Sequence, residues 1–191
     1  MMDEKWELYY DAMELLEEGE IKRAEKLLKE AIKLDPDFVA GYVGLVEVYE
    51  IQEKEKLVAK YVNLAWEKTL KKFPKWPPVG KISWGSVNDR QYFRAICDKA
   101  ILHHRKEEKE EAEKLYRLLL KLNPNDNQGI RYLLAALFRG LTPEDVDMMI
   151  EEGNRKQDWS ELENLLIEEN KKHRFWKYED DEEIENIEGD A

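Results

Sequence analysis

Apolar residues recur at helical spacing along most of this chain, and polar or proline-containing breaks interrupt them at short intervals. The pattern is clearest in Asp11 to Pro36, DAMELLEEGEIKRAEKLLKEAIKLDP, and in Lys99 to Pro124, KAILHHRKEEKEEAEKLYRLLLKLNP. Each predicts an apolar-striped helix, a short break, a second striped helix and a proline that stops it. Aligned on their final prolines, the stretches place Ala12 with Ala100, Ala24 with Ala112, Leu28 with Tyr116 and Leu34 with Leu122. A small residue where two helices approach, followed by a large one a turn later, is how a helical hairpin interlocks.

Taken in order, the first helix runs from an N-cap at Asp3 to about Glu18, closed by Gly19, and the second from about Ile21 to Leu34. Asp37 is the expected cap of a third helix, Phe38 to about Gln52, and the fourth runs from about Glu53 to Phe73. Pro74 to Asp89, PKWPPVGKISWGSVND, breaks the pattern with three prolines and two tryptophans. Burying two indoles favours an ordered insert, with Trp76, Val79, Ile82 and Trp84 as its anchors. A fifth helix then runs to about Arg105, a sixth from Glu108 to Leu122 and a seventh from Gln128 to Phe138. Thr142-Pro143-Glu144-Asp145 is a helix start with its cap, its proline and its first-turn acids in place, and Gly153 is the expected end of that eighth helix. The ninth runs from Asp158 or Ser160 to about Trp176, with Trp159, Leu162, Leu165, Leu166 and Phe175 on one face. From Glu179 onward the chain has eight acidic residues and no basic one, which predicts a flexible tail.

The paired helices with Ala, a large apolar residue and Pro at these offsets resemble the tetratricopeptide repeat. The likeness covers residues 5–73 and 93–153, with departures such as Val146 and Gly153 where alanine is usual. A narrower stretch, Trp84 to Leu137 (WGSVNDRQYFRA through LNPNDNQGIRYLLAAL), resembles a segment of uncharacterised prokaryotic repeat proteins and of the suppression-of-tumorigenicity family. The resemblance implies an all-α, right-handed array of helical hairpins, about nine helices, closed by a C-terminal capping helix. The expected division is N-terminal hairpins over 1–73, the ordered insert over 74–89, a second pair of hairpins over 90–154, the capping helix over 155–178 and the acidic tail over 179–191.

Charged residues make up 39% of the chain, well above the average for soluble domains, and the Glu and Lys excess is the bias of a heat-adapted intracellular protein. The net charge of −12 argues against nucleic acid as the partner. It is unevenly spread: residues 1–73 carry −5, residues 74–140 carry +5 and residues 141–191 carry −12. No apolar run reaches the ~18 residues of a membrane span, and the acidic N-terminus lacks the basic stretch of a secretory signal, so a cytoplasmic protein is expected.

Little in the sequence points to catalysis, and no enzyme activity, cofactor or metal is expected. Cys97 is a lone thiol among apolar neighbours. His103 and His104 point about 100° apart on a helix, and Glu169 with His173 supplies only two ligands. The oxygen-rich NPNDNQG, residues 123–129, is better explained by helix caps at Asp126 or Asn127 than by a calcium loop.

The resemblance places the first helix of each hairpin on a concave groove, the usual binding face of such arrays. That puts Trp6, Tyr9, Tyr10 and Met13 there from the first helix, with Ala40, Val43 and Glu47 from the third. Arg94, Asp98 and Ile101 follow from the fifth, then Gln128, Arg131 and Ala135 from the seventh. A chaperone-binding subfamily clamps a carboxylate with Lys, Asn, Asn, Lys and Arg at such positions. Trp6, Tyr9, Tyr10 and Glu47 stand in their place, so that clamp is absent. What remains is an aromatic half, Trp6, Tyr9 and Tyr10, beside a basic half, Arg90, Arg94 and Arg131, a mixture enriched at protein interfaces. Either these residues meet a partner, or the tyrosines pack internally and the arginines pair with local acids. The expected partner is a protein or peptide of acidic character. The chain's own tail is a second occupant, anchored by Ile184 and Ile187; the alternative roles are a structural homodimer and, behind it, a small-ligand-binding helical protein or enzyme.

Overall fold

Small residues let the helices close on one another. Ala12, Ala24, Ala100 and Ala112, the paired alanines of the two clearest stretches, are all fully buried, as are Leu28 and Tyr116. The computed structural model describes residues 3–177; the acidic tail and its anchors Ile184 and Ile187 lie outside the described residues. Among the described residues there are nine α-helices and no strand: α1 (Glu4–Glu17), α2 (Ile21–Leu34), α3 (Val39–Ile51), α4 (Glu55–Lys72), α5 (Arg90–Arg105), α6 (Lys109–Leu122), α7 (Ile130–Arg139), α8 (Pro143–Lys156) and α9 (Ser160–His173). The most extensive contacts join α1 to α2, α3 to α4 and α5 to α6, so three antiparallel hairpins stack in chain order. Their first helices also touch in a row, α1 on α3 and α3 on α5. Where α2 meets α3 the fit needs Gly44, since a Cβ there would stand 2.6 Å from Cδ2 of Leu28.

The fourth pair is built differently. α7 packs on α6 and more closely on α9 than on α8. Ala135 and Ala136 of α7 are sealed beneath Leu162, Leu165 and Leu166 of α9, together with Val146. α9 therefore covers the face on which α7 would have continued the row.

Three boundaries and two side-chain placements depart from expectation. Asp37 does not cap α3. Its carboxylate holds Lys68 at 3.3 Å and also bonds Lys71, while Gln91 Oε1 of α5 accepts from the Ala40 N–H at 2.9 Å. Gly153 does not end α8, which continues to Lys156. A Cβ at 153 would lie 2.5 Å from Cδ1 of Trp159, so the glycine is the seat of that indole. Trp159 itself is 40% exposed and precedes α9. α9 stops at His173, because Asn170 Oδ1 accepts from the N–H groups of Phe175 at 3.0 Å and Trp176 at 2.8 Å and turns the chain back. Leu34, which aligns with the partly buried Leu122, is 53% exposed.

The insert is held by its aromatic rings. Trp76 meets Trp66 of α4 edge-on at 4.9 Å, Trp84 meets Phe93 of α5 at 5.5 Å, and Ile82 is buried. Val79 is 48% exposed and anchors nothing, so the pinning falls to the other three. At 123–129 the capping expectation holds: Asp126 accepts from the N–H groups of Ile130 at 2.7 Å and Arg131 at 3.0 Å.

His104 ties α5 to the α7–α8 turn. Its Nε2 donates to the Leu141 carbonyl at 2.8 Å, so Nδ1 is the acceptor for the Tyr116 hydroxyl at 3.2 Å. Burial lowers its pKa from the usual value, against the pull of the Leu141 carbonyl. A group depressed in the folded state contributes stability that is complete above the unfolded value of about 6.5 and is lost as pH falls through the folded value. Urea midpoints should therefore decline below about pH 6.5, and the His104→Gln variant should lose that acid-side slope.

Candidate functional site

The row α1, α3, α5 leaves a groove of about 520 Å³ lined by Tyr9, Tyr10, Met13, Glu17, Val43, Val46, Glu47, Glu50, Arg94 and Asp98. One wall is apolar and aromatic. Val43 and Val46 are buried in α3, and Tyr10 stacks on Trp6 with ring centres 5.8 Å apart. Tyr9 is 5% exposed, and its hydroxyl accepts from Arg94 Nη1 at 2.8 Å. Burial pushes that phenol above its usual pKa, with the Arg94 charge opposing.

The other wall carries carboxylates. Glu50 accepts from Arg105 Nη1 at 2.9 Å, and Arg105 Nε also reaches Glu144 at 2.6 Å. Glu17 and Glu47 are exposed and form no ion pair among the described residues. Asp98 sits at the floor. Its Oδ2 is buried and has no hydrogen-bond partner, although the residue as a whole keeps some contact with solvent. Burial, aided by the negative charges of Glu50 and Glu47, lifts the Asp98 pKa to about 8; Arg94 and Arg105 pull the other way.

Seven of the residues expected to face a partner come together here: Tyr9, Tyr10, Met13, Val43, Glu47, Arg94 and Asp98. Four do not. Trp6 turns toward a neighbouring hollow with Lys5, Phe38 and Tyr92, meeting Phe38 edge-on at 4.8 Å. Arg90 serves the insert, its Nε donating to the Trp84 carbonyl at 3.0 Å while its guanidinium lies over the Trp84 ring. Arg131 bonds Asp126 at 3.0 Å and lies between Tyr132 and Trp176, 4.4 and 5.1 Å from their ring centres. Gln128 stands outside the groove, as does the buried Ala135 beneath α9. The expected basic half is thus reduced to Arg94. Reasoning from sequence missed Glu17, Val46 and Glu50; their helical spacing from Met13, Val43 and Glu47 was the available signal.

Elsewhere, Cys97 is buried and its thiol pKa is raised by that burial, which removes thiolate reactivity. Glu169 is buried between Arg139 at 2.6 Å and Lys172 at 2.9 Å. No cluster of three or more His, Cys, Asp or Glu residues able to hold a metal occurs among the described residues, and no described helix is long and apolar enough to cross a membrane.

Two segments match the family model of the tetratricopeptide repeat: residues 12–38, from within α1 to the residue before α3, and residues 93–126, from within α5 to just past α6. In those two segments the chain is similar to the tetratricopeptide repeat. Both matched segments end just beyond the prolines, Pro36 and Pro124, on which the sequence alignment was made. The matched segments do not include α3, α4, the insert or α7–α9. No curated protein matches the chain. Tetratricopeptide repeats generally act as protein-interaction scaffolds rather than enzymes.

Proposed function

We propose that the array is a scaffold that holds an extended segment of a protein partner in the groove between α1, α3 and α5. The observation that carries this reading is the convergence of seven predicted partner-facing side chains, from three successive first helices, on one open groove. Its mixture of aromatic, aliphatic and charged groups is that of a recognition surface. Tyr10 lines it without a hydrogen-bond partner among the described residues, which leaves its ring edge and hydroxyl for an occupant.

Site-specific crosslinking tests this. Peptides selected from a random display library on the full chain should crosslink to p-benzoylphenylalanine placed at Tyr10. They should not crosslink when the same group replaces Lys26, on the outer face of α2 with its side chain 77% exposed. Crosslinking from position 26 alone, or a library that yields no binder, would defeat the groove reading. The acidic lining gives the chain's own acidic tail little reason to occupy this groove.

A further inference from the structure

We infer that the occupant of this groove is a cationic peptide segment, one that sets a lysine or arginine side chain against Asp98 and Glu47 and lays apolar residues on Val43, Val46 and Tyr10. This rests on the groove reading above and assigns the partner its chemistry.

Three observations carry it. The first is the sign of the lining: Glu17, Glu47 and Glu50, with Asp98 a fourth carboxyl group once it ionises, against the single cation Arg94. Arg94 is already engaged by the Tyr9 hydroxyl. Of the carboxylates, only Glu50 has an ion-pair partner among the described residues. Low-dielectric walls focus the field of like charges along a cleft and raise the local concentration of the opposite charge.

The second is the buried, unpartnered Oδ2 of Asp98. A buried acceptor without a donor is costly to keep, and each one calls for an explanation. A carboxylate turns readily about its terminal torsion, so an arriving ammonium or guanidinium can take both oxygens. Nothing else among the described residues donates to it: Arg94 points to Tyr9, and Arg105 points to Glu50 and Glu144.

The third is the mixed character of the walls. A small inorganic cation would use the carboxylates and leave Met13, Val43, Val46 and Tyr10 unused, and the carboxylates have no metal-holding cluster geometry. A lysine or arginine side chain, with an aliphatic stem and a charged head, matches both walls at once.

Binding is then coupled to a proton. The groups facing Asp98 are Glu47 and Glu50 from α3, Tyr9 from α1, and Arg94 and Arg105 from α5; Glu144 of α8 acts through Arg105. With the groove empty, Asp98 holds its proton up to about pH 8. A bound cation favours the carboxylate, so binding releases a proton and affinity rises with pH, by up to about tenfold per unit below the free-state pKa.

The test uses the full chain and the display-selected peptides, each made with a twin in which every Lys and Arg is replaced by Glu. The expected peptides carry Lys or Arg, their twins bind at least about tenfold more weakly, and Asp98→Asn and Glu47→Gln each weaken the parent by about tenfold at low salt. Asp98→Asn should also flatten the rise in affinity between about pH 6 and pH 8. Selected peptides that are neutral or acidic, yet still crosslink from position 10, would overturn the cationic assignment and leave the groove reading standing. Crosslinks confined to the outer face would defeat both. Spermidine competing as tightly as the peptides would overturn the peptide assignment, and parent binding indifferent to Asp98→Asn would remove Asp98 from the site.

Discussion

Tyr116→Ala should lower the unfolding free energy by about 3–5 kcal/mol, a large share of the ~5–15 kcal/mol that holds a typical domain together. Tyr116 is fully buried at the centre of the second core, where α5, α6 and α7 converge through Phe93, Ile96, Ala100, Leu119 and Leu134. These neighbours belong to packed helices on three sides, so the site cannot collapse around the missing ring, and the cavity adds to the lost transfer energy. A second cost is polar. Without the phenol, Nδ1 of buried His104 loses its donor while Nε2 stays fixed to the Leu141 carbonyl. Tyr116→Phe isolates that part, with an expected loss of about 1 kcal/mol and an unchanged hydrophobic core. Paired urea titrations of the two variants check the partition. The result also bears on register, because the equivalent residue of the first hairpin is the fully buried Leu28, which has no such hydrogen bond to lose.

Asp98→Asn should move stability the other way. A carboxylate whose folded-state pKa is raised contributes its full stability below the unfolded value of about 4 and loses it as pH rises to the folded value, here about 8. The wild type therefore becomes less stable relative to the asparagine variant across that window, at no more than about 1.4 kcal/mol per pH unit, and the difference levels off above it. Allowing for the partial solvent contact of the residue, the gap should widen by on the order of 3 kcal/mol between about pH 5 and pH 8. Comparing the two proteins by denaturant unfolding at each pH cancels the titration of every other group. A variant that is more stable and yet binds the cationic peptide more weakly is the signature of a residue kept for function at the expense of the fold.

Much of the architecture was legible in the sequence. Apolar stripes ended by prolines, glycines or polar breaks marked nine helices, most of them nearly at their ends, and the alanines that the alignment paired are the ones buried where helices approach. What escaped depended on neighbours distant along the chain. Asp37 has the residue type of a cap, but the lysines of α4 lie within reach and take its carboxylate. Gly153 has the residue type of a terminator, but its lack of a side chain is what admits Trp159. The groove shows the same limit more sharply. The +5 of residues 74–140 suggested a basic surface, yet Arg105, Arg117, Arg131 and Arg139 are each paired with a carboxylate, and Arg90 is held by the insert. Summed charge counts residues, whereas a partner meets only those that the packing leaves uncompensated. Nor could helical spacing show that α9 would bury the face of α7 and end the row of first helices at α5.

The proposed site turns on a carboxylic acid, Asp98, that the fold holds neutral and unpartnered until a cation arrives. Its ionisation can be followed directly from the Asp98 side-chain carboxyl 13C shift as pH is varied in the full-length protein. A midpoint near 8 in the free protein, falling well below that when a lysine-bearing peptide is added, is the predicted result. A midpoint already in the ordinary range near 4 in the free protein, unmoved by the peptide, would contradict it.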